Sequence, residues 1–156
     1  MQLSPSPLEI LSQVFREVQI VASEGENHGP GQIDVERHVE ALSDCPRQWR
    51  VRLVIRLSGQ KETAPPPYTG CIAVEGHYAV HEKYPYDPER LIRVTGASML
   101  YGATREMVSA ITSRGPHGML TLPSVSFLGP DETPEPSQKP AGRKTRRTRG
   151  KGKTRA

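Results

Sequence analysis

From Trp49 to Leu57 the odd positions Trp49, Val51, Leu53, Ile55 and Leu57 are apolar, while Arg50, Arg52 and Arg56 fall on the opposite side. A period of two is that of a half-buried strand, so one face of the sheet it joins is wet. The same period recurs where Ile33, Val35, Val39 and Ala41 alternate with Asp34, Glu36, His38 and Glu40, and again where Ile72, Val74, Tyr78 and Val80 share a face. Residues 14–22 read as an earlier strand with Val14, Val18, Ile20 and Ala22 on one side, although Arg16 interrupts the pattern. Between these runs lie a Gly- and Pro-bearing loop, Glu24 to Gly31, and the break Pro65-Pro66-Pro67, which has no amide hydrogens to give a sheet. After Tyr84-Pro85-Tyr86-Asp87-Pro88 the period lengthens. Ala97, Leu100, Tyr101, Thr104, Val108 and Ile111 recur at three- and four-residue steps, predicting one main helix that Gly115-Pro116 stops. Leu120, Leu122, Val125 and Phe127 then suggest an extended finish.

Strands in succession followed by a helix predict an α+β domain: a four-stranded antiparallel sheet with a long helix packed on it. The apolar pattern stops near Leu128, so residues 1–128 are expected to form the domain. Residues 129–156, carrying Pro130, Pro134, Pro136 and Pro140 and then a basic run, are expected to be a disordered tail. Charge divides the chain at the same place. Nine of its 21 Lys and Arg residues lie between Lys139 and Arg155 with no acid among them, leaving 12 basic against 17 acidic groups before them. The body is therefore net −5 and the tail +9. At 35% hydrophobic and 5% aromatic content the core is modest, which argues against a large helical bundle or a deep multi-domain enzyme.

The longest uninterrupted apolar run, Cys71 to Val74, is far short of the roughly twenty residues that a membrane-spanning helix needs, so no membrane insertion is expected. Pro5 and Pro7 interrupt the region where a secretory leader would require an apolar stretch, and Cys45 and Cys71 make no disulfide framework. A cytoplasmic protein is the expectation. Catalytic chemistry finds no constellation. Gly96-Ala97-Ser98 lacks the second glycine of a nucleophile elbow, and Gly152-Lys153-Thr154 lacks the strand and glycine of a phosphate loop. His77 and His81 sit in a strand-like pattern that would place them roughly 13 Å apart. Neither an enzyme nor a metal or cofactor site is expected.

The segment Leu100-Tyr101-Gly102-Ala103-Thr104-Arg105-Glu106, the helix end Ser113-Arg114-Gly115 and the strand Leu120-Thr121-Leu122-Pro123-Ser124-Val125-Ser126-Phe127 resemble the SecB family of export chaperones. That family's helix begins with a Leu-aromatic-Pro element, carries an Arg-Glu pair and leads into a Leu-x-Leu…Val-x-Phe strand. Gly76-His77-Tyr78-Ala79-Val80 is similar to its Gly-x-Phe-x-Ile strand, and Glu62-Thr63-Ala64 to its Glu-Thr-Ala segment. Gly102 stands where the family usually has proline, and Cys71-Ile72 where some members carry an acid that contacts the SecA motor. The likeness covers residues 8–128 or so. It implies an ATP-independent holdase that binds unfolded or pre-secretory polypeptides. It also implies a homotetramer built as a dimer of dimers, with the SecA motor as a partner in protein export. On this reading Val51, Leu53, Tyr78, Leu100 and Tyr101 are the candidate client-binding residues. A SecB-like chaperone of a toxin–antitoxin system is the variant of the same expectation.

The tail supports a competing expectation. Arg143, Lys144, Arg146, Arg147 and Arg149, spaced by Gly and Thr without aromatics, would attract phosphates by counterion release without reading sequence. RNA, the ribosome or an acidic protein surface is the partner class, with the body as scaffold. The stripe Arg50, Arg52 and Arg56 is a second candidate anion-binding face, set against the plain reading of a solvated sheet surface.

Overall fold

The structure, a computed structural model, describes residues 5–129. Four antiparallel strands, β1 (Leu8–Ala22), β2 (Gly31–Ala41), β3 (Gln48–Gly59) and β4 (Tyr68–Val80), form one sheet in the order β1-β4-β3-β2. A short helix α1 (Pro88–Leu91), a π-helical turn (Ile92–Gly96) and the main helix α2 (Ala97–Thr112) follow without a break, and the π turn and α2 pack on one face. This is the α+β arrangement that the periodicities predict.

The strands keep the expected faces where the alternation is clean. Trp49, Val51, Leu53, Ile55 and Leu57 of β3 are all buried, and they stand opposite Tyr78, Gly76, Val74, Ile72 and Gly70 of β4. Strand β1 departs from expectation. It begins at Leu8 rather than Val14, and its pairing with β4 shifts register twice, between Ile10 and Ser12 and between Phe15 and Glu17. Each shift leaves one extra residue, Leu11 and then Arg16, and an extra residue reverses the faces of everything beyond it. Val14 therefore lies opposite Glu75 on the outer face, whereas Phe15, Val18, Ile20 and Ala22 lie on the helix side. The interruption at Arg16 is the sequence mark of that bulge.

Helical structure also starts earlier than the periodicity indicates. Asp87 caps α1 by accepting the Glu89 amide at 2.9 Å, and Pro88 takes the first position, where a missing N–H does no harm. The π turn loosens the backbone ladder, and side chains take up its carbonyls: Tyr78 Oη donates to Gly96 O at 3.1 Å, Arg37 Nη1 to Arg93 O at 2.8 Å. Helix α2 ends at Thr112, not Gly115, and a tightened turn through Ser113 to Gly115 closes it. Ala97, Leu100, Tyr101, Thr104 and Val108 face the core as expected. Ile111 does not; Thr112 is buried in its stead.

The expected final strand is not part of the sheet. Residues 119–128 run along α2, and helix side chains satisfy their backbone. Tyr101 Oη donates to Pro123 O at 2.8 Å, Arg105 Nε to Leu122 O at 2.9 Å and Ser109 Oγ to Leu120 O at 3.1 Å. Thr112 Oγ1 accepts from Leu120 N at 2.8 Å. Positions 101, 105, 109 and 112 form one row at helical spacing, so a polar stripe on α2 does the work of a neighbouring strand.

At the centre, the buried Tyr78 ring lies back over Gly76 and against Leu100. A Cβ on Gly76 would come within 2.7 Å of Tyr78 Cε2 and 2.9 Å of Leu100 Cδ2, and neither side chain has room to retreat. Gly76→Ala is expected to lower stability by about 1–3 kcal/mol through overpacking, measured by denaturant unfolding against wild type. An unchanged midpoint would show that this contact yields.

Candidate functional site

The helix contacts β3 and β4, the two central strands. Beyond its edge, on the β2 side, an apolar groove of about 220 Å³ opens between the β2–β3 end of the sheet and the segment that runs along α2. Ile33 and Leu57 form one wall, Pro66 and Pro67 close the end, and Leu120 and Pro123 form the other wall. Leu57, Tyr68 and Leu122 are buried beneath it, while Ile33 and Leu120 stay half-exposed on the rims. Pro66, Pro67 and Pro123 contribute no N–H to the groove lining.

The structure brings Val51, Leu53, Tyr78, Leu100 and Tyr101 together, but inside the core. The first four are 0% exposed and Tyr101 is 4% exposed. Burial pushes the Tyr78 hydroxyl up to about 12, and that of Tyr101 up as well, with the Arg105 charge opposing the latter. Tyr101 reaches the segment lining the groove, through Pro123 and an edge-to-face contact with Phe127 at 6.0 Å. The groove residues sit where periodicity is least informative: a proline break and an expected strand. Their mark in the sequence is Pro65-Pro66-Pro67 together with Leu120-Thr121-Leu122-Pro123. Arg143, Lys144, Arg146, Arg147 and Arg149 lie outside the described residues.

The outer face carries a shallow depression of about 530 Å³ over β2, β3 and β4. Two of its three arginines are already engaged across strands. Arg50 pairs with Glu40, and Arg56 with Glu36 at 2.7 Å and Asp34 at 3.6 Å. The Arg56 hydrogen bond and charge hold the Glu36 carboxyl below its usual range. Arg52 stands between them, opposite His38 and Glu75. The Arg stripe is thus largely a set of cross-strand pairs rather than a free anion-binding row. Glu75 is 8% exposed; Arg16 reaches it from the β1 bulge at 3.1 Å, and His77 Nε2 lies at 3.6 Å. Burial pushes the Glu75 carboxyl up, but the Arg16 hydrogen bond, with the charges of Arg16, Arg50 and His77, outweighs it and leaves the pKa lowered.

At the other edge of the sheet, β1 exposes apolar side chains on both of its faces. Ile10, Leu11, Val14, Val18 and Val21 of β1 are 39–49% exposed, and the strand's outer edge is unpaired among the described residues. No described helix is long and apolar enough to cross a membrane.

Among solved structures, the fold is similar to that of the Mycobacterium tuberculosis Rv1957 SecB-like chaperone in complex with a ChAD peptide from the HigA1 antitoxin. The TM-score is 0.60 at 22% identity, over 77% of this chain and 91% of that one. A protein of unknown function from Streptococcus agalactiae aligns with a TM-score of 0.42 at 10% identity, over 75% of this chain and 97% of that one. No family model and no curated protein matches the sequence. The chain has a SecB-like fold.

The lowered pKa of Glu75 sets a sign for acid stability. Its contribution is complete above the ordinary value of 4.5 and is lost as pH falls through the lower, folded-state value. Glu75→Gln is therefore expected to flatten the decline of melting temperature between about pH 5 and pH 3. A decline as steep as that of wild type would remove Glu75 from the acid response.

Proposed function

We propose that this protein is an ATP-independent holdase chaperone for extended, non-native polypeptide. The observation that carries this reading is the apolar groove beside α2, open on a SecB-like fold. A similar fold seats an antitoxin peptide in the Mycobacterium tuberculosis complex, which supports a polypeptide as the occupant here. Preferential binding of non-native chain lowers the concentration free to aggregate and needs no nucleotide. Ile33, Leu120 and Pro123 would meet the client, over the buried Leu57. Val51, Leu53, Tyr78, Leu100 and Tyr101 would support that surface from below and touch a client only where the segment along α2 is displaced.

One groove of this size holds a few side chains, so useful retention requires several acting together through effective concentration. The exposed edge of β1 supplies a means of assembly, since a long apolar strand edge is a template for a second chain. Pairing of β1 edges would form dimers, and two dimers the tetramer. The cytoplasm suits such a protein. Between an antitoxin-like client and export through SecA, the complex of the similar fold favours the former. The tail supports a second activity: its +9 charge suits an anionic partner such as RNA, bound through Arg143, Lys144, Arg146, Arg147 and Arg149.

Replacing Ile33 and Leu120 together by Ser is expected to weaken binding of an unfolded reporter polypeptide by about tenfold, as loss of about 1.4 kcal/mol would do, with aggregation suppression reduced in step. Truncation after residue 138 is expected to leave that suppression intact. Loss of suppression in the truncated protein, with RNA binding in the full chain, would instead support the scaffold reading. Val18→Lys on the β1 edge is expected to lower the mass in solution from that of an assembly to that of a smaller species, read by light scattering. A mass equal to wild type would exclude that edge as the interface.

A further inference from the structure

The polar stripe of α2 grips main chain rather than side chains. Tyr101 Oη, Arg105 Nε and Ser109 Oγ donate to the carbonyls of Pro123, Leu122 and Leu120, and Thr112 Oγ1 accepts from the Leu120 amide. Every residue of every polypeptide has a carbonyl, so three of the four contacts are blind to sequence. Selection enters through the apolar side chains between them: Leu122 is 0% exposed, and the Phe127 ring lies against Tyr101 at 6.0 Å and beneath the Arg37 guanidinium at 5.8 Å. The stripe thus fits an extended chain with apolar residues at intervals. Leu120 stands beside Thr112 and Pro123 beside Tyr101, so that chain runs antiparallel to the helix.

Among the described residues no backbone–backbone hydrogen bond ties residues 119–127 to a strand. The segment is fastened at its two ends instead. Before it, Tyr68 Oη donates to Gly118 O at 2.8 Å, where a φ of 76° at Gly118 turns the chain. After it, Arg37 Nη1 donates to Phe127 O at 3.0 Å and to Arg93 O at 2.8 Å. Between these points Pro123, Ser124, Val125 and Ser126 are exposed, whereas Tyr101 and Thr112 beneath the segment are only 4% and 1% exposed. Side-chain bonds break singly while a ladder is lost as a unit, so this segment opens without disturbing the sheet.

We infer that Tyr101, Arg105, Ser109 and Thr112 form a binding site for the main chain of an extended apolar polypeptide, which takes the place of residues 119–128. The segment now in the site shows what fits it. Leu120, Leu122, Val125 and Phe127 make it an extended apolar chain, the chemistry of the client proposed for the groove. The stripe and the groove are also continuous: Leu120, Leu122 and Pro123 line the groove and bond to the stripe, so a client in the groove lies beside the bonds that it takes over. Tethering gives residues 119–128 a high effective concentration, so a short ligand loses the competition and a chain long enough to fill groove and stripe together wins it. The inference rests on the groove reading above and deepens it. Displacement joins the helix to the groove, and the client runs with its N-terminal end towards Thr112.

Photo-crosslinking of the full-length protein tests it, with a reduced, carboxymethylated polypeptide carrying photo-leucine as the client. Tyr101 and Thr112 are covered until the segment leaves, so crosslinks to them are the expected result and report displacement directly. Hydrogen exchange gives a second reading: at saturating client the Leu120 amide is expected to lose about tenfold protection while Leu53 in the sheet centre holds. Crosslinks confined to Ile33, Pro66, Pro67 and residues 119–128 overturn the inference and leave the groove reading standing, as does Leu120 protection that is unchanged or raised. A client that is not retained at all defeats the groove reading and this inference with it. Crosslinks to Thr112 from a photo-leucine-labelled second copy of this chain, with none from the client, would make that copy the occupant and overturn the client.

Discussion

One helix cannot cover four strands. Strands spaced about 4.8 Å apart make a sheet wider than the roughly 10 Å diameter of a helix, so α2 seals the two central strands and leaves a strip on each side. The buried aromatic Tyr78 sets the helix in place, held over Gly76, pressed on Leu100 and bonded to the Gly96 carbonyl. From that placement follow partly covered edge strands β1 and β2, each with apolar side chains left exposed or half-exposed.

The two strips are treated differently. On the β2 side the chain returns after α2 and lays residues 119–128 beside the helix, tied by Tyr101, Arg105, Ser109 and Thr112. Individual side-chain hydrogen bonds of this kind contribute about 0.5–1.5 kcal/mol each, so this covering is less cooperative than a strand within a ladder. The groove thus has one wall fixed by the sheet and one held by side-chain hydrogen bonds. On the β1 side Leu8 is buried and Phe15 and Ile20 pack against the core, while Ile10, Leu11, Val14, Val18 and Val21 stay exposed, Val14 because the first bulge turns it to the outer face.

The outer face shows how a charged stripe loses its apparent meaning once register is known. Arg50 and Arg56 stand opposite Glu40 and Asp34, with Glu36 also in reach of Arg56, and the pairs are consumed within the sheet. Arg16 looked like a defect in an apolar run. It is the extra residue of a bulge, and its guanidinium compensates the buried Glu75 one strand away. Neither role is visible from local alternation, because each depends on which residue of another strand lies opposite.

The pattern of apolar positions was enough to determine the α+β class, the faces of β2, β3 and β4, and the buried row of α2 from Ala97 to Val108. In each of these the period of side-chain direction is a local property of the backbone. Motif order likewise pointed to the SecB-like fold. Tertiary structure decided where the extended finish goes, because its backbone partners are side chains, four from α2 and Arg37 of β2 at Phe127, and not the backbone of a strand. It also placed Val51, Leu53, Tyr78, Leu100 and Tyr101 beneath the surface: periodicity says which side of an element is apolar, but only packing says whether that side meets the chain itself or remains open. The meeting of Arg37 and Phe127 lies wholly in this second category, since residues 90 positions apart share a hydrogen bond only after the chain has folded.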